Sequence, residues 1–255
     1  MNRRQFTRHT TTAAAAASLA MPAPAARPEE IIAMFIYPGM TALDLIGPQQ
    51  VFGYLTGCQV HLVARTPGLV VTDTGVAIRP SHTFADCPDP VDILFVPGGG
   101  SGTIKLMRDA ETLAFLNSRA RNARYVTSVC SGSLLLAAAG LLRGYQATSH
   151  WSVRDILADF GAEVVAKRVV EDRNRITAGG ITAGIDFGLR LAARLRGEAY
   201  AQALELTLEY DPQPPFGSGT PQTAPPPVLA MVRKMYEPLV AQARAVAPKH
   251  DRIHP

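Results

Sequence analysis

Three places in the sequence bring together residue types that could do chemistry. The first is Thr127-Ser128-Val129-Cys130-Ser131-Gly132-Ser133-Leu134, where a β-branched run passes through small residues into an alanine-rich stretch. This is the pattern of a nucleophile elbow, a tight strand-to-helix turn that lifts its apex side chain clear of the sheet and needs small neighbours to do so. A helix N-terminus behind Cys130 offers partial positive charge and free N–H donors, both of which favour thiolate over thiol. The competing reading is a buried cysteine that packs as a small hydrophobe. The second place is Ile93-Leu94-Phe95-Val96-Pro97-Gly98-Gly99-Gly100, a buried strand ending in glycines. Gly98 and Gly99 would let backbone N–H groups approach a ligand, predicting an oxyanion-type pocket at the carboxyl ends of a parallel sheet, where Cys130 also emerges. The lysine and Ser/Thr of a phosphate-binding loop are missing.

The third place is Asp44, set between Leu43 and Leu45. Desolvation in so apolar a setting raises a carboxyl pKa and suits it to carrying protons. The alternative is that Asp44 caps a helix beginning at Pro48. His150, followed by Trp151, lies beyond a short strand predicted at 146–149 and can reach the same edge. Asp186 falls in the first turn of a predicted helix, where it complements the dipole.

These residues need a scaffold, and the pattern of the chain supplies one. Apolar runs at 31–37, 59–64, 93–96 and 125–129 alternate with helical segments around 47–55, 113–122 and 133–142, the signature of a mostly parallel sheet with helices on both faces. Pro48 is read as opening the first of these helices. A short antiparallel excursion is predicted over 74–83, and a hairpin at the sheet's edge turns around Asp172-Arg173-Asn174. Helices at 183–195 and 198–209 follow. The prolines between Asp211 and Pro227 predict an extended loop, and a last helix over 228–245 ends in a polar tail expected to be disordered. The reading is one α/β domain over 27–227, then the C-terminal helix and tail of 228–255.

The first 26 residues read as a twin-arginine targeting signal: Arg3-Arg4-Gln5-Phe6, a weakly apolar run, and Ala23-Pro24-Ala25-Ala26 as a small-residue cleavage region. That route carries folded proteins, so the expected site of action is the periplasm. The apolar run is too short to span a bilayer, and no membrane partner is expected. The formal charge is +4, but Arg3, Arg4, Arg8, Arg27, Lys249 and Arg252 lie in the terminal segments, and without them the basic excess vanishes. This charge pattern gives no footprint for nucleic acid. Three cysteines, Cys58, Cys87 and Cys130, make an odd count for a disulfide framework. Neither they nor the six histidines have metal-ligand spacing, so the reading calls for no metal and no other cofactor.

With these motifs in hand, the chain resembles the DJ-1/PfpI superfamily and, within it, the isonitrile hydratases, from about Ile31 to Pro227. The resemblance rests on Leu43-Asp44-Leu45-Ile46-Gly47-Pro48, Val96-Pro97-Gly98-Gly99, Thr127-Ser128-Val129-Cys130, Ala147-Thr148-Ser149-His150-Trp151, Gly180-Ile181-Thr182-Ala183-Gly184-Ile185-Asp186-Phe187 and Leu208-Glu209-Tyr210. It implies a flavodoxin-like, class I glutamine-amidotransferase-like sandwich and a homodimer acting on a small molecule. It also implies that Cys130 attacks the terminal carbon of R–N≡C while Asp44 delivers a proton and then activates water. A thioimidate would then hydrolyse to an N-substituted formamide. Ser131 stands where the hydratases carry a threonine important for activity, keeping the hydroxyl and losing the methyl. The protease-like branch carries histidine at that place. Two other readings stay open: a cysteine hydrolase or amidase on a small molecule, and a ligand- or redox-sensing domain. The roughly 28 residues after Pro227 are too few for the helix-turn-helix of a regulator.

Overall fold

The structure, a computed structural model, describes residues 30–248; the first 29 residues, with the stretch read as a twin-arginine signal, and the last seven, read as a polar tail, lie outside them. In chain order the elements are β1 (Glu30–Phe35), α1 (Ala42–Phe52), β2 (Cys58–Ala64), β3 (Val70–Val71), β4 (Ala77–Ile78), β5 (His82–Thr83), β6 (Ile93–Val96), α2 (Gly100–Leu106), α3 (Ala110–Ala120), β7 (Tyr125–Val129) and α4 (Gly132–Ala138). They continue with β8 (Gln146–Ala147), a 3-10 segment (Arg154–Phe160), β9 (Glu163–Val164), β10 (Val169–Asp172), β11 (Arg175–Ala178), α5 (Ala183–Arg196), α6 (Glu198–Thr207) and α7 (Pro226–Val246). The main sheet runs β10-β11-β7-β6-β1-β2-β5, and every neighbouring pair is parallel except the β10–β11 hairpin at one edge. Of the predicted excursion over 74–83, only β4 pairs antiparallel, with β3; β5 leaves it to extend the main sheet beside β2.

Strand register shows why both faces are covered. Phe95 on β6 meets Phe52 of α1 and Phe187 of α5 at ring separations of 6.4 and 5.8 Å, and Met34 on β1 is its neighbour in register. Successive side chains on a strand point to opposite faces. Phe35 accordingly looks the other way, to Phe115 of α3. The central strands β1 and β6 therefore read as nearly continuous apolar runs, as expected where a parallel sheet is covered on both faces.

The first helix begins six residues before Pro48, at Ala42, with Thr41 as N-cap residue. Pro48 lies in the helix interior and removes the N–H that would have met the carbonyl of Asp44, four residues back. Close packing accounts for its tolerance there: α1 and α5 cross through small residues, and a Cβ on Gly184 would come within 3.0 Å of Pro48 Cδ. The Cβ of a residue replacing Gly188 would likewise come within 3.0 Å of Val51.

The turn from β7 into α4 is as tight as the elbow pattern demands. Cys130 has φ of 56°, in the left-handed region that costs a residue with a Cβ on the order of 1 kcal/mol or more. The surroundings hold it there. Its N–H is shared between the carbonyls of Ala178 and Gly179, and its own carbonyl accepts from the hydroxyls of Ser133 and Ser149. Two residues on, a Cβ at Gly132 would sit 2.2 Å from the Val96 carbonyl oxygen and 2.7 Å from that of Pro97. Both are backbone atoms that cannot swing aside. Gly132→Ala should therefore lower stability by about 3 kcal/mol or more, as overpacking against rigid backbone does, and should expose Cys130 to alkylation in the folded protein. Denaturant melts and thiol-labelling rates check this; an unchanged midpoint would contradict it.

Candidate active site

Asp44 and Cys130 come from opposite ends of the fold's logic, a helix start beside β1 and the β7 elbow, and both are enclosed. Asp44 is fully buried in the first turn of α1. Its Oδ2 accepts the Gly98 N–H at 3.0 Å, so the carboxylate does not cap a helix at Pro48 as one reading allowed. Its Oδ1 has no partner of full hydrogen-bond geometry among the described residues. Burial pushes the Asp44 pKa up to about 7; the Gly98 N–H and the Cys130 thiol pull it back only partly, and Asp73 adds repulsion.

Cys130 reverses one expectation. The N–H groups of Ile181 and Ser131 do favour its thiolate, but burial first and the Asp44 charge second push the thiol well above its ordinary range. Helix-terminus help is outweighed where the sulfur is desolvated beside a carboxylate. At rest the cysteine is a thiol, and the nearest group able to take its proton is Asp44. The two therefore titrate as a pair.

The glycine turn also serves a different purpose from the one expected. The Gly98 N–H is occupied by Asp44, and the Gly99 N–H is donated to Ser131 Oγ at 3.0 Å. Neither points into open space as an oxyanion hole would need. Their lack of side chains has a steric reason: a Cβ at Gly98 would lie 2.6 Å from Ser131 Oγ and 2.8 Å from Asp44 Oδ2, and one at Gly99 would lie 2.3 Å from Met40 Cα. The turn is thus a clamp that sets carboxylate and hydroxyl beside the elbow.

A cavity of about 180 Å³ opens on Cys130 and Ser131. His150, Val153 and Ile181 form its walls, and Tyr236 and Leu239 of α7 close it from above. His150 Nδ1 lies 2.7 Å from Ser152 Oγ and 3.3 Å from the Ser152 backbone nitrogen, and burial lowers its pKa to about 4. A histidine held neutral in this way is a wall of the pocket, packed against the Trp151 and Tyr236 rings, with no hydrogen bond to Cys130 among those described. A separate cavity of about 290 Å³ between β1, β2 and α2 contains neither Cys130 nor Asp44. Asp186, read as a helix-dipole residue, pairs with Arg168 and accepts from Tyr210. The sequence reading did not reach Asp73, Tyr236, Leu239, or the hydroxyls of Tyr37 and Thr103 behind Ser131. Each belongs to an element far from the elbow in sequence and carries no local motif.

The sequence profile of the DJ-1/PfpI family matches residues 30–194, which hold β1, the α1 start, the glycine turn and the elbow. The chain belongs to the DJ-1/PfpI family. Within that family it is 50% identical over 207 residues to the isonitrile hydratase of Pseudomonas putida, covering 81% of this chain and 90% of that protein. A crystal structure of a ThiJ/PfpI family protein from Pseudomonas syringae superposes with a TM-score of 0.85 at 51% identity, covering 87% of this chain and 92% of that one. An HTH-type transcriptional regulator of Pseudomonas aeruginosa is 29% identical over 74% of this chain, which spans 53% of the regulator. This family member thus shares its α/β domain with both enzymes and regulators. Among the described residues no group of three or more His, Cys, Asp or Glu side chains could hold a metal ion, and no helix is long and apolar enough to cross a membrane.

Proposed function

We infer that this DJ-1/PfpI enzyme is a hydro-lyase that hydrates isonitriles to N-substituted formamides. The observation that carries the reading is the 50% identity spread over nine tenths of an isonitrile hydratase. The pocket suits the chemistry: Cys130 and Ser131 line it together with the apolar Val153, Ile181 and Leu239, and the buried Asp44 carboxyl lies behind them beside the Cys130 thiol. A cavity of roughly 150 Å³ holds benzene, so 180 Å³ fits an isonitrile with a compact alkyl, cycloalkyl or single-ring aryl substituent.

The reaction proceeds as follows. Asp44, as carboxylate, takes the Cys130 thiol proton while sulfur bonds to the terminal carbon of R–N≡C, and delivers that proton to the same carbon. This gives the thioimidate R–N=CH–S. Asp44 then takes a proton from water as the water oxygen bonds to that carbon, and the C=N electron pair collects the proton at nitrogen. The C–S bond breaks with its electrons returning to sulfur; the hydroxyl proton passes through Asp44 back to the thiol, releasing R–NH–CHO. No oxyanion forms that protonation does not meet at once, so occupied N–H groups at Gly98 and Gly99 are no obstacle. An amide substrate would need two such donors free. This disfavours the amidase reading.

Export and assembly are part of the same proposal. Arg3-Arg4-Gln5-Phe6 and the Ala23–Ala26 region support folded export through the twin-arginine route to the periplasm, with removal of the first 26 residues. Leu43, Ile46, Met231 and Met235 leave apolar surface that a second copy could cover in a homodimer. A mature periplasmic mass lacking about 26 residues, abolished by Arg3→Lys with Arg4→Lys, is expected; a full-length cytoplasmic product would refute the export.

Purified protein incubated with cyclohexyl isocyanide should yield N-cyclohexylformamide. Cys130→Ala should be inert, and Asp44→Asn should lose on the order of 10³-fold or more, the scale of acid–base catalysis. The initial state needs ionised Asp44, so kcat/KM should rise about tenfold per pH unit up to about 7 and level off above it. Hydrolysis of a panel of amides with no formamide from isonitriles would overturn the assignment.

A further inference from the structure

Behind Ser131 lies a buried row of hydroxyls whose direction the structure fixes. Tyr37 OH is 2.9 Å from the Pro97 carbonyl oxygen and 2.8 Å from Thr103 Oγ1; Thr103 Oγ1 is 3.1 Å from Ser131 Oγ; and Ser131 Oγ receives the Gly99 N–H at 3.0 Å. Tyr37, Thr103 and Ser131 are 3%, 0% and 4% exposed, so solvent does not share these bonds.

A phenol has one proton and a peptide carbonyl has none to give. The Tyr37 proton therefore goes to Pro97; otherwise two lone pairs would face each other at 2.9 Å. Burial also keeps that phenol protonated. Tyr37 must then accept from Thr103, and Thr103, its proton committed, must accept from Ser131. The order is Gly99 N–H to Ser131, Ser131 to Thr103, Thr103 to Tyr37, Tyr37 to Pro97. Ser131 has given its proton away from the pocket it lines and keeps one unused lone pair.

We propose that Tyr37 and Thr103 are positioning residues that set Ser131 Oγ as a pure hydrogen-bond acceptor, which with Asp44 seats the water that hydrolyses the thioimidate. The two oxygens are held side by side by successive N–H groups, Gly98 donating to Asp44 Oδ2 and Gly99 to Ser131 Oγ, each at 3.0 Å. Water offers two hydrogens to this pair of acceptors: Asp44 removes one as the oxygen bonds to carbon, and Ser131 holds the other.

The proposal rests on the isonitrile hydratase reading and concerns its second half-reaction alone. Thr103→Val keeps shape and removes the hydroxyl, Tyr37→Phe removes the terminal acceptor, and Thr103→Ser restores the hydroxyl. With cyclohexyl isocyanide, Thr103→Val and Tyr37→Phe should lower kcat about tenfold. Their kcat/KM, which reports only steps up to the thioimidate, should stay within about twofold of wild type. Intact mass spectrometry during turnover should show the Cys130 adduct accumulating in both variants and not in Thr103→Ser. Melting temperatures identify a variant that fails to fold, in which case the other carries the test. Unchanged kcat, or kcat/KM falling with kcat and no adduct, overturns the proposal while wild-type turnover leaves the function intact. An inert wild type overturns both.

Discussion

A carboxyl and a thiol closed off from water in contact with each other is the constraint on which the rest of this structure depends. Either group alone would be quiet. Together, burial brings the carboxyl close to neutral pH and keeps the sulfur protonated until something takes its proton. A low-pKa thiolate would be the better free nucleophile and also the better target for oxidants. A shared proton instead makes the sulfur reactive only when a substrate arrives that can receive that proton. An isonitrile carbon, which must gain sulfur and hydrogen together, is such a substrate.

Keeping the pair together draws in three separate loops at the carboxyl ends of parallel strands. The segment after β1 gives Asp44 from the first turn of α1, the loop after β6 gives the glycine clamp, and the elbow after β7 gives Cys130 and Ser131. Parallel strands in register bring these loops to one edge, the general location of sites in such sheets. The costs are local: a cysteine at φ of 56° and glycines where backbone passes too close for any side chain. The compensations are local too, in the hydroxyls that grip the Cys130 carbonyl and the bifurcated bond at its N–H.

Much of this is legible in the sequence. Apolar runs without alternation marked a sheet covered on both faces, and small residues around Cys130 marked the elbow, because those features follow from local sterics. Asp44 stood out because a carboxylate between leucines has a cost that demands a reason. What the sequence hid were outcomes of competition and of distance. Pro48 was read as a helix start, since nothing local reveals the small-residue crossing with α5 that tolerates it inside α1. The thiolate expectation weighed the helix terminus without the desolvation that outweighs it. Gly98 and Gly99 were read as facing substrate because their side-chain partners, Asp44 and Ser131, lie 54 and 32 residues away. Tyr236 and Leu239, on the last helix, roof a pocket whose nucleophile precedes them by about a hundred residues.

The central claim is that burial beside the Cys130 thiol makes Asp44 keep its proton up to about pH 7, so that only the thiol proton is left to the pair above it, and infrared difference spectroscopy of protein labelled with ¹³C-carboxyl aspartate reads this directly. A protonated carboxyl band assigned to Asp44 by its loss in Asp44→Asn should persist through pH 5 and 6 and disappear with a midpoint near 7. In Cys130→Ala the midpoint should move higher, because the thiol's stabilising pull on the carboxylate is gone. A band that vanishes near the ordinary aspartate value of about 3.9, unmoved by loss of the thiol, would contradict the account.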